Sequence, residues 1–211
     1  MKFGKTLFAS IALAASLGAQ AQVTGALGGG AGTFLLLSSP AACVLPGDCS
    51  LTGSVNASIV GGTILNADQP FADIPKGAIA GGNFLSAGPT TTEPSTVSFS
   101  SGIGYISFLW GSPDLYNSLT VMTTAGNFAF TAAGLGFSVT NGDQSFSQYV
   151  QFTADAGVDI LGLAFTNSPK INAFEVANFS VTAPVPEPET YVLMLAGLGA
   201  VGFMNRRRRK A

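Results

Sequence analysis

The chain reads as an all-β protein, a single jelly-roll-like β-sandwich, and three observations predict it. Short runs alternate apolar residues with Ser, Thr, Asn and Gln, and turn signals recur at roughly ten-residue spacing. No segment between the two ends keeps a helical period. Sixteen phenylalanines spread along the alternating runs supply bulky side chains for a core between two sheets.

At the amino end Lys2 and Lys5 precede an apolar run from Leu7 to Leu17, and Ala19-Gln20-Ala21 supplies small residues where a signal peptidase cuts. Residues 1–21 are therefore expected to be a signal peptide for the Sec translocon, cleaved between Ala21 and Gln22. No cysteine follows the small residues, which argues against a lipoprotein anchor. The stretch 22–183, about 160 residues, suffices for one domain that buries about 70% of its unfolded surface.

Charge divides along the chain. Seven of the nine basic residues lie in the two end segments; residues 22–183 hold Lys76 and Lys170 against nine acids, a net of −7. Such a surface repels polyanions, so nucleic acid is not an expected partner. Cys43 and Cys49 flank a Pro46-Gly47-Asp48 turn and fit an oxidising compartment, where a bridge closing so short a loop adds roughly 2 kcal/mol. Two thiols in a chain without histidine leave zinc short of ligands, and no cofactor or metal is expected. Asp155 and Asp159 are oxygen donors but lack the graded spacing of a calcium loop.

The elements follow in order. Gly25, Gly28, Gly29, Gly30 and Gly32 are expected to form a flexible leader or tight turns before the first strand, and they complete no dinucleotide or phosphate-loop fingerprint. Thr33 to Leu37 is expected to be a buried strand. Ser54 to Leu65 is β-rich with a bulge or turn at Gly61-Gly62, and Pro70 and Pro75 confine 68–76 to a loop or sheet edge. Residues 81–94 read as an exposed loop. Strands follow at 96–100, 105–110, 119–123 and around Phe128 and Phe130. Leu135, Phe137 and Val139 alternate before an Asn141-Gly142 hairpin turn. Phe146, Gln148, Val150 and Phe152 share one face with Tyr149 on the other. Val158 to Phe165 has the apolar pattern of a central strand. Phe174, Val176, Phe179 and Val181 alternate with a shift across Ala177-Asn178, the mark of a bulge.

At the carboxyl end, residues 184–211 have three parts. Val185-Pro186-Glu187-Pro188 is stiff and extended. Tyr191 to Met204 is apolar; fourteen residues make roughly 21 Å of helix, short of the ~30 Å hydrocarbon core. Arg206, Arg207, Arg208, Arg209 and Lys210 mark the cytoplasmic side. This order resembles the PEP-CTERM sorting tail of Gram-negative surface proteins. The resemblance implies that an exosortase cuts near Pro186-Glu187-Pro188 while the short helix holds the chain transiently in the inner membrane. Trp110-Gly111-Ser112-Pro113-Asp114-Leu115-Tyr116-Asn117 resembles the W-G-S-x-D-x-Y-N signature of one group of exosortase-dependent proteins. Ala173-Phe174-Glu175-Val176-Ala177-Asn178 resembles their A-F-E-hydrophobic-D-N segment, with Ala177 in place of the aspartate.

Without histidine the usual general base is missing, which leaves a carboxylate pair as the remaining catalytic option. Asp114 and Glu175 are the candidates for it, set against a turn role for Asp114 with Asn117. For Glu175 the structural alternatives are an ion pair with Lys170 or a solvent-facing place. Trp110 and Tyr116 flank the same turn and are candidate sugar-stacking faces, set against Trp110 as a core plug. Three functions follow. The first is a non-catalytic surface or matrix protein near extracellular polysaccharide. The second is a carbohydrate-binding module using Trp110, Asp114, Tyr116, Asn117 and Glu175. The third is a secreted glycosidase.

Overall fold

The computed structural model describes residues 22–79, 82–90 and 92–182. Among them are fourteen strands in two antiparallel sheets and one helical turn. The first sheet runs β1 (Val23–Leu27), β12 (Ser147–Ala154), β9 (Tyr105–Gly111), β14 (Phe174–Ser180), β7 (Phe84–Ala87), β6 (Thr63–Leu65) and β3 (Ala41–Ala42). The second runs β11 (Gly126–Thr131), β10 (Asn117–Thr123), β13 (Ile160–Asn167), β8 (Ser95–Ile103), β5 (Ala57–Val60), β4 (Cys49–Thr52) and β2 (Leu36–Leu37). Seven strands per sheet make a wider sandwich than the eight strands of a jelly roll.

The alternation that predicts strands also decides what faces inward. In β10 the residues at 117, 119, 121 and 123 are buried, and those between them are half-buried. Between the sheets Phe108 meets Phe165 of β13 at a ring separation of 5.6 Å, and within its own sheet it meets Phe152 and Phe179 at 5.8 and 5.6 Å. A smaller cluster lies on the outer face of the first sheet, where Phe84, Leu109 and Ala177 are covered by Phe71, Ala72 and Ile74 from the segment 66–79.

The chain changes sheets at Gly61-Gly62, between β5 and β6. Both glycines have φ near +80° (80° and 75°), and a Cβ on Gly61 would stand 2.6 Å from the Pro94 carbonyl oxygen. The disulfide Cys43–Cys49 is present. The expected shift in the last strand is a bulge at Asn178, whose φ is 54°, where the β14–β9 register slips between Ala177 and Ser180.

Four expectations are corrected. Residues 81–94 are not all exposed loop: β7 lies inside them and all four of its residues are buried, paired with β6 and β14. Residues 135–139 form no strand. Thr131 caps a helical turn, α1 (Ala132–Leu135), by accepting from the Gly134 N–H, and Gly136 ends it at φ 85°. Asn141-Gly142 is no hairpin turn, because Asn141 bridges to Asp114 and the Gly142 N–H donates to the Pro113 carbonyl. Residues 33–37 are a strand only at Leu36–Leu37, on a sheet edge, with Leu36 exposed. Among the described residues no helix is long and apolar enough to cross a membrane. The signal peptide and the hydrophobic tail helix fall outside the described residues.

Candidate functional site

β9 and β14 bring the two motif segments side by side: Trp110 lies opposite Val176 and Gly111 opposite Glu175. Alternation then separates the partners. Trp110 turns inward, fully buried, and stacks on Phe174 at 4.2 Å with Phe137 edge-on at 5.2 Å. The sugar-stacking role for Trp110 is thereby corrected, since neither face of the indole reaches solvent. Its ring does the work of a core plug because β9 is buried along its whole length.

Glu175 turns the other way, onto the outer face of the first sheet, yet it is only 1% exposed. A Cβ on Gly111 would stand 2.9 Å from Pro75 Cγ and 3.3 Å from Glu175 Cβ, so only glycine lets Pro75 close down here. Ser112 Oγ donates to Glu175 Oε2 at 2.6 Å, and the Asp73 backbone N–H also serves this carboxyl. Burial raises the Glu175 pKa to about 8; the Ser112 bond opposes that, and the nearby Asp114 charge adds to it. At neutral pH the carboxyl is therefore mostly protonated. The expected alternatives for Glu175 are both corrected. It does not face solvent, and Lys170 pairs instead with Glu93, Nζ to Oε2 at 3.7 Å.

Asp114 sits in the turn that leads into β10. Its N–H donates to Asn117 Oδ1 at 2.8 Å, and the Asn117 N–H returns to the Asp114 carbonyl at 3.1 Å. Asp114 is 7% exposed and Asn117 is fully buried. Tyr116 is half-buried; burial, and then the Asp114 carboxylate beside it, push its phenol up to about 12. The structure thus gathers Ser112, Asp114, Tyr116, Asn117 and Glu175 at one end of the sandwich and leaves Trp110 on the far side of the sheet. Chemically the cluster sets the protonated Glu175 acid beside the buried Asp114 side chain, with half-buried Tyr116 as its aromatic member.

Asn178 carries a role that sequence reasoning does not assign. At the bulge its Oδ1 accepts from the Ile79 N–H at 2.9 Å. Its Nδ2 donates to the Gly77 carbonyl at 2.9 Å and to the Tyr149 hydroxyl at 2.7 Å. The bonds to Ile79 and Gly77 pin the covering segment to the sheet, and the one to Tyr149 ties the bulge to β12. The bulge signal at Ala177-Asn178 marked the position, while the partners, 29 residues away at Tyr149 and 99 and 101 away at Ile79 and Gly77, left no local trace.

Asp155 and Asp159 are separately engaged: Asp155 Oδ2 accepts from the Gln22 N–H at 3.0 Å, and the Asp159 N–H donates to Thr124 Oγ1 at 3.0 Å. Among the described residues no group of three or more metal-capable His, Cys, Asp or Glu side chains occurs.

Residues 184–209 match the PEP-CTERM protein-sorting motif. The motif goes with exosortase-dependent sorting of an exported, cell-surface protein. Its span includes Val185, Pro186, Glu187 and Pro188, and also Arg206 to Arg209. These residues, with Lys210 and with Ala19 and Ala21, lie outside the described residues. Neither a curated protein nor a solved structure matches the chain.

Proposed function

We propose that the protein is a non-catalytic exported surface or extracellular-matrix protein, cleaved by an exosortase near Pro186-Glu187-Pro188 and associated with exopolysaccharide. It enters the Sec pathway by residues 1–21, meets signal peptidase, rests in the inner membrane by its tail helix, and is released to the surface or matrix of a Gram-negative cell. The observation that carries this reading is the sorting motif over 184–209 behind an acidic, histidine-free β-sandwich. The non-catalytic part is supported by the enclosure of both candidate acids, since Asp114 and Glu175 are 7% and 1% exposed. A carbohydrate-binding module built on Trp110 and a glycosidase built on those acids lose their footing for the same reason.

Mass spectrometry of the protein recovered from cells tests the processing. The expected mature form begins at Gln22 and ends near Pro186-Glu187-Pro188. Recovery of peptides containing Arg206 to Arg209 from the dominant, membrane-bound form would overturn the sorting reading.

A further inference from the structure

Across the second sheet the register sets serines side by side. Ser50 lies opposite Ser58, and Ser58 opposite Ser98. Neighbouring strands are about 4.8 Å apart, so the three hydroxyls form an evenly spaced row. Ser38 extends it, its Oγ accepting from the Ser50 N–H at 3.1 Å. One step along the strands, Asn56 and Ser100 are joined by a backbone bond of 2.8 Å. Ser50, Asn56, Ser58, Ser98 and Ser100 line an open groove of about 390 Å³ in which half-buried Phe99 is the one aromatic. Gly47 and Cys49 form one wall, tied by the Cys43–Cys49 disulfide. The hydroxyls of Ser50, Ser58, Ser98 and Ser100 make no hydrogen bond to protein among the described residues.

We propose that this groove binds an uncharged polysaccharide. The inference rests on the polysaccharide association proposed above and gives that association a place. A sugar hydroxyl both donates and accepts, and so do a serine hydroxyl and an asparagine amide, so the two surfaces pair without any charge. Charge is indeed missing: none of the seven strands of this sheet contains Asp, Glu, Lys or Arg. An acidic polymer would gain no cation here and would meet the −7 of residues 22–183. Small-molecule pockets are mostly apolar and enclose their ligand. This groove is open and hydroxyl-lined at a regular interval, which suits a repeating polymer lying along it.

The test uses the mature protein in affinity electrophoresis with dextran, laminarin and xyloglucan as neutral probes and alginate as the acidic one. Co-sedimentation with matrix from the producing cells runs in parallel. At least one neutral glycan is expected to retard the protein and alginate is not. Ser58→Ala/Ser98→Ala should weaken binding at least about tenfold in both assays, at roughly 1 kcal/mol per lost hydrogen bond. Ser118→Ala/Thr120→Ala, toward the other edge of the same face, should leave it unchanged. Binding that the Ser58/Ser98 variant retains in full overturns the groove and leaves the association standing. Absence of binding in both assays removes both readings. Retardation by alginate alone overturns the uncharged class.

Discussion

The two outer faces of the sandwich are built from the same kind of strand and have opposite fates. On the first sheet the segment 66–79 forms a roof, and beneath it lies Glu175, the one Asp, Glu, Lys or Arg in any strand of the described chain. On the second sheet no segment among the described residues covers Ser50, Ser58 and Ser98 in the same way, and every strand residue is uncharged. A roofed face can hold an ionisable group because the roof supplies donors, here the Asp73 amide, and also the dry surroundings that shift the pKa. A bare face gains nothing from such a group and keeps small hydroxyls that water or a sugar can satisfy. The alternating pattern is the same in both; the cover makes the difference.

The contrast is broken most sharply by titration. The Glu175 carboxyl takes 4.5 as its unfolded pKa and about 8 when folded, so the folded chain holds a proton that the unfolded chain has lost. That stabilisation is complete below about 4.5 and is lost as pH rises through about 8. Urea unfolding of the wild type is expected to weaken across this window by a large fraction of the total stability. Glu175→Gln, which cannot ionise, is expected to flatten the window, and an unchanged slope would mean the roof does not keep the carboxyl dry.

A smaller effect belongs to the pin. Asn178→Ala leaves the Ile79 N–H, the Gly77 carbonyl and the Tyr149 hydroxyl without their partner, and a loss of about 3 kcal/mol is expected in thermal or urea unfolding. The roof segment should also become the first site of limited proteolysis. On the bare face Ser98→Ala removes a hydroxyl with no protein partner among the described residues, and its stability should stay within about 0.5 kcal/mol of wild type. Equal losses at Asn178 and Ser98 would erase the distinction between the two faces.

Much of this was legible from residue order because it depends on local chemistry. Phe146 to Phe152, Leu119 to Val121 and the bulge before Phe179 carry their period on the surface of the sequence. The miss at 84–87 has a plain cause: Phe84-Leu85-Ser86-Ala87 is too short to display a period and sits among Gly, Pro and Thr, yet pairing on both edges makes it a strand. At 132–135 local capping by Thr131 and Gly136 outweighed the alternation of Leu135, Phe137 and Val139. For the candidate site, the sequence singled out Asp114, Tyr116, Asn117 and Glu175 but could not say which way Trp110 or Glu175 points. A one-residue step along a strand exchanges the faces.

By itself, then, the sequence determined the all-β class, the acidic histidine-free composition, the disulfide-prone turn and the sorting motif, since each is a property of neighbours along the chain. Only the tertiary structure decided that Trp110 is sealed in the core, that Glu175 is a protonated acid under Pro75, and that Ser50, Ser58 and Ser98 stand in one row. Burial and register join residues that lie tens of positions apart, and a pKa or a groove exists only once those residues have met.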